Sequence, residues 1–488
     1  MKIIFGAAVL CLVFSGIISE QSRGYYESYV KEVYYWKKVF FENLPKSDDS
    51  SVGPYRYYIP ENVAVNGFGY HPASGLFVVT FPRLRPGVPI TLGAFCVDEY
   101  KMGSSPTIWG FPNYQMNTLQ DSDFAGGSDE EKAAQNAWHN PNKFNYNTGN
   151  YYGNYGSNYY SHQLPSYAKT YVHVQGWGQE DQRIIALFHM QIDEICNRGF
   201  LVDNGQLVYY QNATYTIQKP ALWVIDLPAN GCKTRNFPII RRREFPDRIV
   251  AKSPNGYVHI TLDYQSEDSC DDLFLYITNC FFFFLVVYDY KKDAFWTFEH
   301  ETFLPVIAES HFVYDKTFDY DWALGLHSLA LGYPDKFGDR TAYYSSIAGT
   351  AQYAVSTKIL KNRRKSPNNF NPKDFRIMGY RGCDNEPMKS VIDYTYGVMV
   401  TTEAQTHEIR CWNINKPLNP DNLGVIFKSD KYNFGTQTFI DSRGYQWFAG
   451  DPVPILYASD RPLDLSVVNT RIFRLKVSDA IRGTVCEN

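Results

Sequence analysis

Two pairs of adjacent carboxylates, Asp193-Glu194 and Asp271-Asp272, are the densest acid chemistry in this chain of 488 residues. Paired acids can share general-acid and general-base work only if both reach one substrate atom. Neighbours on a strand point to opposite faces, so each pair reads as a turn or cap element. Asp226 and Asp289 each end a short apolar run and are expected to cap the following turn through the carboxylate. The sequence contains no GxSxG nucleophile elbow, no HExxH pair and no phosphate-cradling glycine loop.

Cysteine is the next reactive type. Cys11 sits in the leader; Cys96, Cys196, Cys232, Cys270, Cys280, Cys383, Cys411 and Cys486 follow it. An even number in an exported chain favours disulfides, whose pairing spacing does not decide. No CxxC or close Cys/His cluster is present, so neither a metal nor any other cofactor is expected.

Lys2 followed by the apolar run from Ile3 to Ile18 reads as a secretory signal over residues 1–20. The run is shorter than the roughly 20 residues a membrane span needs. A secreted, extracellular chain is therefore expected. The sequon Asn212-Ala213-Thr214 suits that setting as a glycosylation site. Net charge is −4, which argues against nucleic acid or an anionic membrane as partner. The basic runs Arg241-Arg242-Arg243 and Lys361 to Lys365 read as solvated loops.

Strand signals dominate. Leu76 to Thr80, Leu222 to Ile225, Leu285 to Tyr288 and Ile472 to Leu475 are short β-branched or aromatic runs near turn residues. Phe281 to Val287 reads as a buried strand, whereas helical patterning is confined to Asp129–Trp138 and Glu27–Phe40. Leu222 to Asp226 and Leu285 to Asp289 share one pattern, their aspartates 63 positions apart. Such a period suits a four-stranded propeller blade. From Glu61 to the end, with residues 120–165 set aside, 382 residues remain, or about six such periods. The expected fold is all-β: a six-bladed β-propeller over 61–488, preceded by an N-terminal arm over 21–60. Residues 120–165 form a low-complexity loop insertion within it. Between Asn140 and Tyr160 that insertion holds seven Asn and six Tyr; it is either a cross-linking or stacking patch or a tolerated surface insertion.

An ordered series of segments resembles the insect Yellow / major royal jelly protein family. Trp36-Lys37-Lys38-Val39 comes first, then Ile59-Pro60-Glu61-Asn62 and the stretch Pro82-Arg83-Leu84-Arg85-Pro86-Gly87 through Leu92. Gln191 to Arg198, Cys270-Asp271-Asp272, Tyr353 to Thr357, Cys411-Trp412-Asn413, Asn422 to Ile426, Asn469 to Ile472 and Gly483 to Cys486 continue it. The departures are Ile195 inside the usual Asp-Glu-Cys-Asn-Arg run, Gly199-Phe200 in place of a Trp, Phe281 to Phe284, Gln405-Thr406-His407, and the insertion. What the resemblance implies is a secreted six-bladed propeller whose relatives bind amines, convert dopachrome, or serve pigmentation, eggshell and nutrition. In amine-binding relatives the segment before Cys411 contributes to a pocket at the propeller's central end. That makes Thr402, Gln405 and His407 candidate ligand-binding residues, for a small aromatic amine or catechol. With an ordinary pKa near 6.5, His407 is the candidate to move the proton of dopachrome tautomerisation; a rim histidine held by backbone is the bland alternative. The tyrosine-rich insertion adds a candidate contact to extracellular matrix, or a cross-linked structural or storage role.

Overall fold

The computed structural model describes residues 29–44, 58–119 except 86, 183–208, and 214–487 except 254, 267 and 317. The signal segment, the insertion at 120–165 with its expected helix at Asp129–Trp138, and Asn212 lie outside the described residues.

Six sheets form the blades of a β-propeller. Their inner strands are Phe68–His71, Met190–Asp193, Tyr257–Tyr264, Leu326–Pro334, Pro387–Asp393 and Thr438–Ile440. Each runs away from the same end of the axis, and the following strands pair antiparallel outward. The repeat seen in the sequence is real at this level. Ala221–Asp226 and Phe284–Asp289 are both third strands, in the second and third blades. Both are almost wholly buried, which is why they carry uninterrupted apolar runs rather than alternation.

Ring closure uses both ends of the chain. Lys31–Trp36 pairs antiparallel with Thr470–Lys476 as the outermost strand of the sixth blade. Phe40–Phe41 pairs parallel with Thr107–Gly110 at the edge of the first. Part of the 21–60 segment is thus built into the ring. The helix expected over Glu27–Phe40 gives way to these strands; Tyr34 and Trp36 instead bury their rings beside Phe95. A propeller edge needs a partner strand, and this tertiary demand overrides local helical pattern.

Disulfides staple neighbouring blades. Cys96–Cys232 links the first and second, Cys196–Cys270 the second and third, and Cys411–Cys486 holds the C-terminus on the fifth. Cys383 is also disulfide-bonded. Cys280 corrects the expectation of full pairing: it is a free, buried thiol. Burial pushes its pKa up, so it stays protonated.

Two further expectations change. Only Phe284 onward is strand; Phe281 to Phe283 form the turn before it, with Phe283 at φ +59 and Asn279 Oδ1 accepting from Phe282 N at 2.8 Å. Arg241 to Arg243 lie on the strand Ile239–Glu244, not in a loop; Arg241 donates to Tyr288 Oη at 2.9 Å and Arg243 pairs with Asp293 at 3.0 Å. No helix among the described residues is long and apolar enough to cross a membrane.

The arginines of the Pro82–Gly87 stretch prove to be scaffolding. Arg83 donates to the carbonyls of Val88, Pro89, Asn117 and Ile185. Arg85 reaches across the sequence to the carbonyls of Ile455, Leu456, Ser459 and Arg461. Ile455 and Leu456 belong to the short helix Val453–Ala458 and Ser459 is its C-cap, so the guanidinium sits at the helix's C-terminal end, where a cation suits the dipole. Asp193 behaves as a turn element. Its carboxylate accepts from Ile195 N and Cys196 N and from Arg198 Nε at 3.1 Å, while Tyr264 Oη donates to it at 2.6 Å. Asp289 accepts from Lys292 N at 2.9 Å, as a turn cap should.

Candidate functional site at the propeller axis

At the start of each inner strand one position repeats around the axis: Gly67, His189, His259, His327, Lys389 and Gln437. Gly67 has no room for a side chain, since a Cβ there would stand 2.4 Å from Phe188 O. The other five side chains gather into one buried polar cluster. His189 and His259 rings lie 5.1 Å apart, and His259 and His327 rings 4.4 Å apart. Gln437 Nε2 donates to His189 Nδ1 at 2.7 Å and to Phe68 O at 3.2 Å, joining the sixth blade to the first two.

Hydrogen bonding sets the tautomers. His189 Nδ1 accepts, so its proton is on Nε2. His327 Nδ1 donates to Met388 O at 2.7 Å, which leaves its Nε2 lone pair bare. Neither ring nitrogen of His259 has a partner. Burial holds all three imidazoles below the usual histidine range, His327 at about 3, and nearby Lys389 pushes the same way. They are neutral at neutral pH. Lys389 is brought down to about 7 by burial, so its amine is poised to gain or lose a proton there. Among the described residues no carboxylate pairs with it. No group of three or more histidines, cysteines or acids among them is arranged to hold a metal.

Above this floor is a cavity of about 40 Å³, room for a few waters. Phe188, Phe281, Trp322 and Tyr457 wall it, and His259 and His327 line its base. Tyr457 lies 5.3 Å from Trp322 and 6.2 Å from Phe281, centroid to centroid. The indole N–H of Trp322 is buried without a partner. Two elements roof it: the hairpin His311–Tyr314/Phe318–Asp321 that leads into Trp322, and the helix Val453–Ala458 that Arg85 anchors. Flat faces, orphaned donors and a bare imidazole nitrogen suit an aromatic guest carrying hydroxyl or carbonyl groups.

The residues expected from sequence lie elsewhere on the same end. Thr402 donates to Gly435 O at 2.7 Å and accepts from Lys389 N at 3.0 Å, so its hydroxyl joins blades five and six. Gln405 accepts from Val313 N at 2.9 Å and donates to Glu386 at 3.0 Å, holding the roof hairpin. His407 sits in the tight turn before Glu408–Asn413 at φ +57, its pKa lowered by burial. None of the three lines the axial cavity. The histidines that do were missed, although a signal existed. His189, His259, His327 and Lys389 are spaced by 70, 68 and 62 residues, close to the blade period.

Known proteins offer further findings. The family profile described as Major royal jelly protein matches residues 185–486. The Yellow-related salivary protein ASP4 of Phlebotomus orientalis is 32% identical over 312 residues, covering 62% of this chain and 74% of the relative. L-dopachrome tautomerase yellow-f of Drosophila melanogaster is 26% identical over 415 residues, covering 85% and 80%. The Yellow-related salivary protein LJM11 of Lutzomyia longipalpis is 26% identical over 492 residues, covering 100% and 99%.

Proposed function

The chain belongs to the major royal jelly protein family, the Yellow-related proteins, and on that premise we propose that it is a secreted protein whose axial cavity binds a small flat phenolic or indole compound. The observation that carries this is the pairing of an aromatic wall with His259, whose two ring nitrogens are buried and unpartnered. An unsatisfied buried polar group costs roughly 1–3 kcal/mol, a penalty that a hydroxyl or carbonyl of the guest removes. The cavity is smaller than such a guest, so binding requires the roof hairpin or the helix Val453–Ala458 to yield. Salivary relatives support an extracellular setting. Titration calorimetry with dopamine, serotonin and dopachrome tests the reading: heat from at least one is expected, and none from all three would overturn it.

A second reading, proton transfer within dopachrome, is favoured by two features. His327 presents a bare Nε2 on an imidazole fixed by Met388 O, and Lys389 titrates near neutrality beside it. In that reading the unprotonated fraction of the Lys389 amine takes a proton from ring carbon, an imidazole held near 3 being too weak a base for it, and His327 orients the guest through its bare Nε2. The relative named L-dopachrome tautomerase adds weight. Loss of dopachrome absorbance faster than the spontaneous rate, and abolished by Lys389→Met, is the expected result; a spontaneous rate unchanged by the protein removes the reading.

A further inference from the structure

A second cavity, about 570 Å³, lies far from the axis on the outer rim, where the third blade meets the fourth. Five cations line it: Lys292, Lys358, Lys361, Arg363 and Arg364. Two carboxylates, Asp289 and Asp339, face them, leaving a net +3 on a chain whose total is −4. The carboxylates are already engaged, Asp289 with Lys292 at 2.9 Å and Asp339 with Lys361 at 2.6 Å. Lys358, Arg363 and Arg364 are exposed and have no ion pair among the described residues.

This segment is not the solvated loop its composition suggests. Ser356 caps the helix Thr357–Leu360 through Lys358 N. Trp296 Nε1 donates to Leu360 O at 2.8 Å. Asn362 Oδ1 accepts from Arg364 N at 3.1 Å and starts the next turn, Arg363–Lys365. Four of the lining cations, Lys358, Lys361, Arg363 and Arg364, are therefore carried by one ordered stretch of backbone along the cleft. With the backbone already ordered, only the side chains have to be fixed when an anion arrives.

We propose that this rim cleft binds a sulfated extracellular polysaccharide. Several separated cations suit a chain bearing several separated sulfates, with affinity accumulating as counterions are released. A concave cleft admits a linear polyanion and disfavours a flat bilayer. The extracellular setting rests on the proposed function; the cleft itself does not.

The test is titration of the full chain with a heparin octasaccharide at physiological salt. Binding is expected. In Lys358→Gln/Arg363→Gln/Arg364→Gln it should weaken roughly 10- to 100-fold, with the salt dependence shallower by about two to three charges. Axial guest binding should be unchanged. A matched control, Lys101→Gln/Lys233→Gln/Lys431→Gln, should bind as the parent does. Arg364→Glu serves as a second variant should the triple fold poorly. The proposal is overturned if the parent does not bind, if the control loses as much as the triple, or if the desulfated saccharide binds equally. Stronger binding to phosphatidylserine vesicles or to a single-stranded oligonucleotide overturns it too.

Discussion

The imidazoles of His259 and His327, on neighbouring blades, meet edge to face with centroids 4.4 Å apart and planes at 89°. Such an approach suits two neutral rings and resists two charged ones. Burial and the amine of Lys389 keep them neutral, so the axis holds acceptor nitrogens without holding charge.

If His259 contacts the guest, His259→Leu should weaken binding of whichever aromatic compound gives heat by about tenfold or more, the loss of one buried hydrogen bond. His407→Ala should leave affinity within about twofold, because His407 is outside the cavity lining. Calorimetry on both variants separates the two ideas: loss with His407→Ala and none with His259→Leu would move the site to the rim.

Lys389 makes stability depend on pH. Its folded-state pKa, about 7, is below the ordinary lysine value. The unfolded chain therefore binds the proton more readily, and the penalty is full below about 7 and fades as pH rises toward 10.5. Lys389→Met should be more stable than the parent at pH 7 by up to roughly 4 kcal/mol, with the gap closing in alkali. Urea midpoints across pH 6 to 10 check this; a gap independent of pH would show that the amine is solvated.

Asp451 should act with the opposite sign. Burial raises its carboxyl to about 7, though Thr436 and Val453 N donate to it. Being neutral when folded, it adds no penalty below the ordinary aspartate range. Stability is lost as pH rises from about 4 through 7, by roughly 4 kcal/mol for this group. Asp451→Asn cannot ionise, so its stability relative to the parent should climb over that window. Thermal melts at a series of pH values would contradict the assignment if the difference stayed flat.

Arg85→Ala should destabilise the chain by roughly 3–5 kcal/mol, because four backbone carbonyls lose a buried charged donor together. Arg85→Lys should recover little, since an ammonium cannot span the same fork. Denaturant unfolding reads both. Faster guest release in the variant would also show that the helix Val453–Ala458 is the part of the roof that opens.

Much of the architecture was legible from the chain. The 63-residue echo between Asp226 and Asp289 picks out the same strand in two adjacent blades, and Asp289 caps its turn as its type and place imply. The site was less legible. His407 stands out through the segment before Cys411, whereas His259 and His327 sit within apolar strands and look locally like core residues. Their meaning arises only when the blades are closed into a ring.

What the sequence by itself determined is the blade: short buried strands, turn aspartates, glycines where backbones crowd, and a period that counts to six. What only the tertiary structure decided is everything that needs two blades at once. Lys31–Trp36 became a strand because the sixth blade lacked an edge, and Arg85 found carbonyls 370 and more residues away. Three histidines and a lysine, 62 to 70 residues apart in the chain, came to share one buried axis. Local pattern encodes what each segment buries; ring closure alone sets which distant side chains meet, since that depends on the summed rotation of all six sheets.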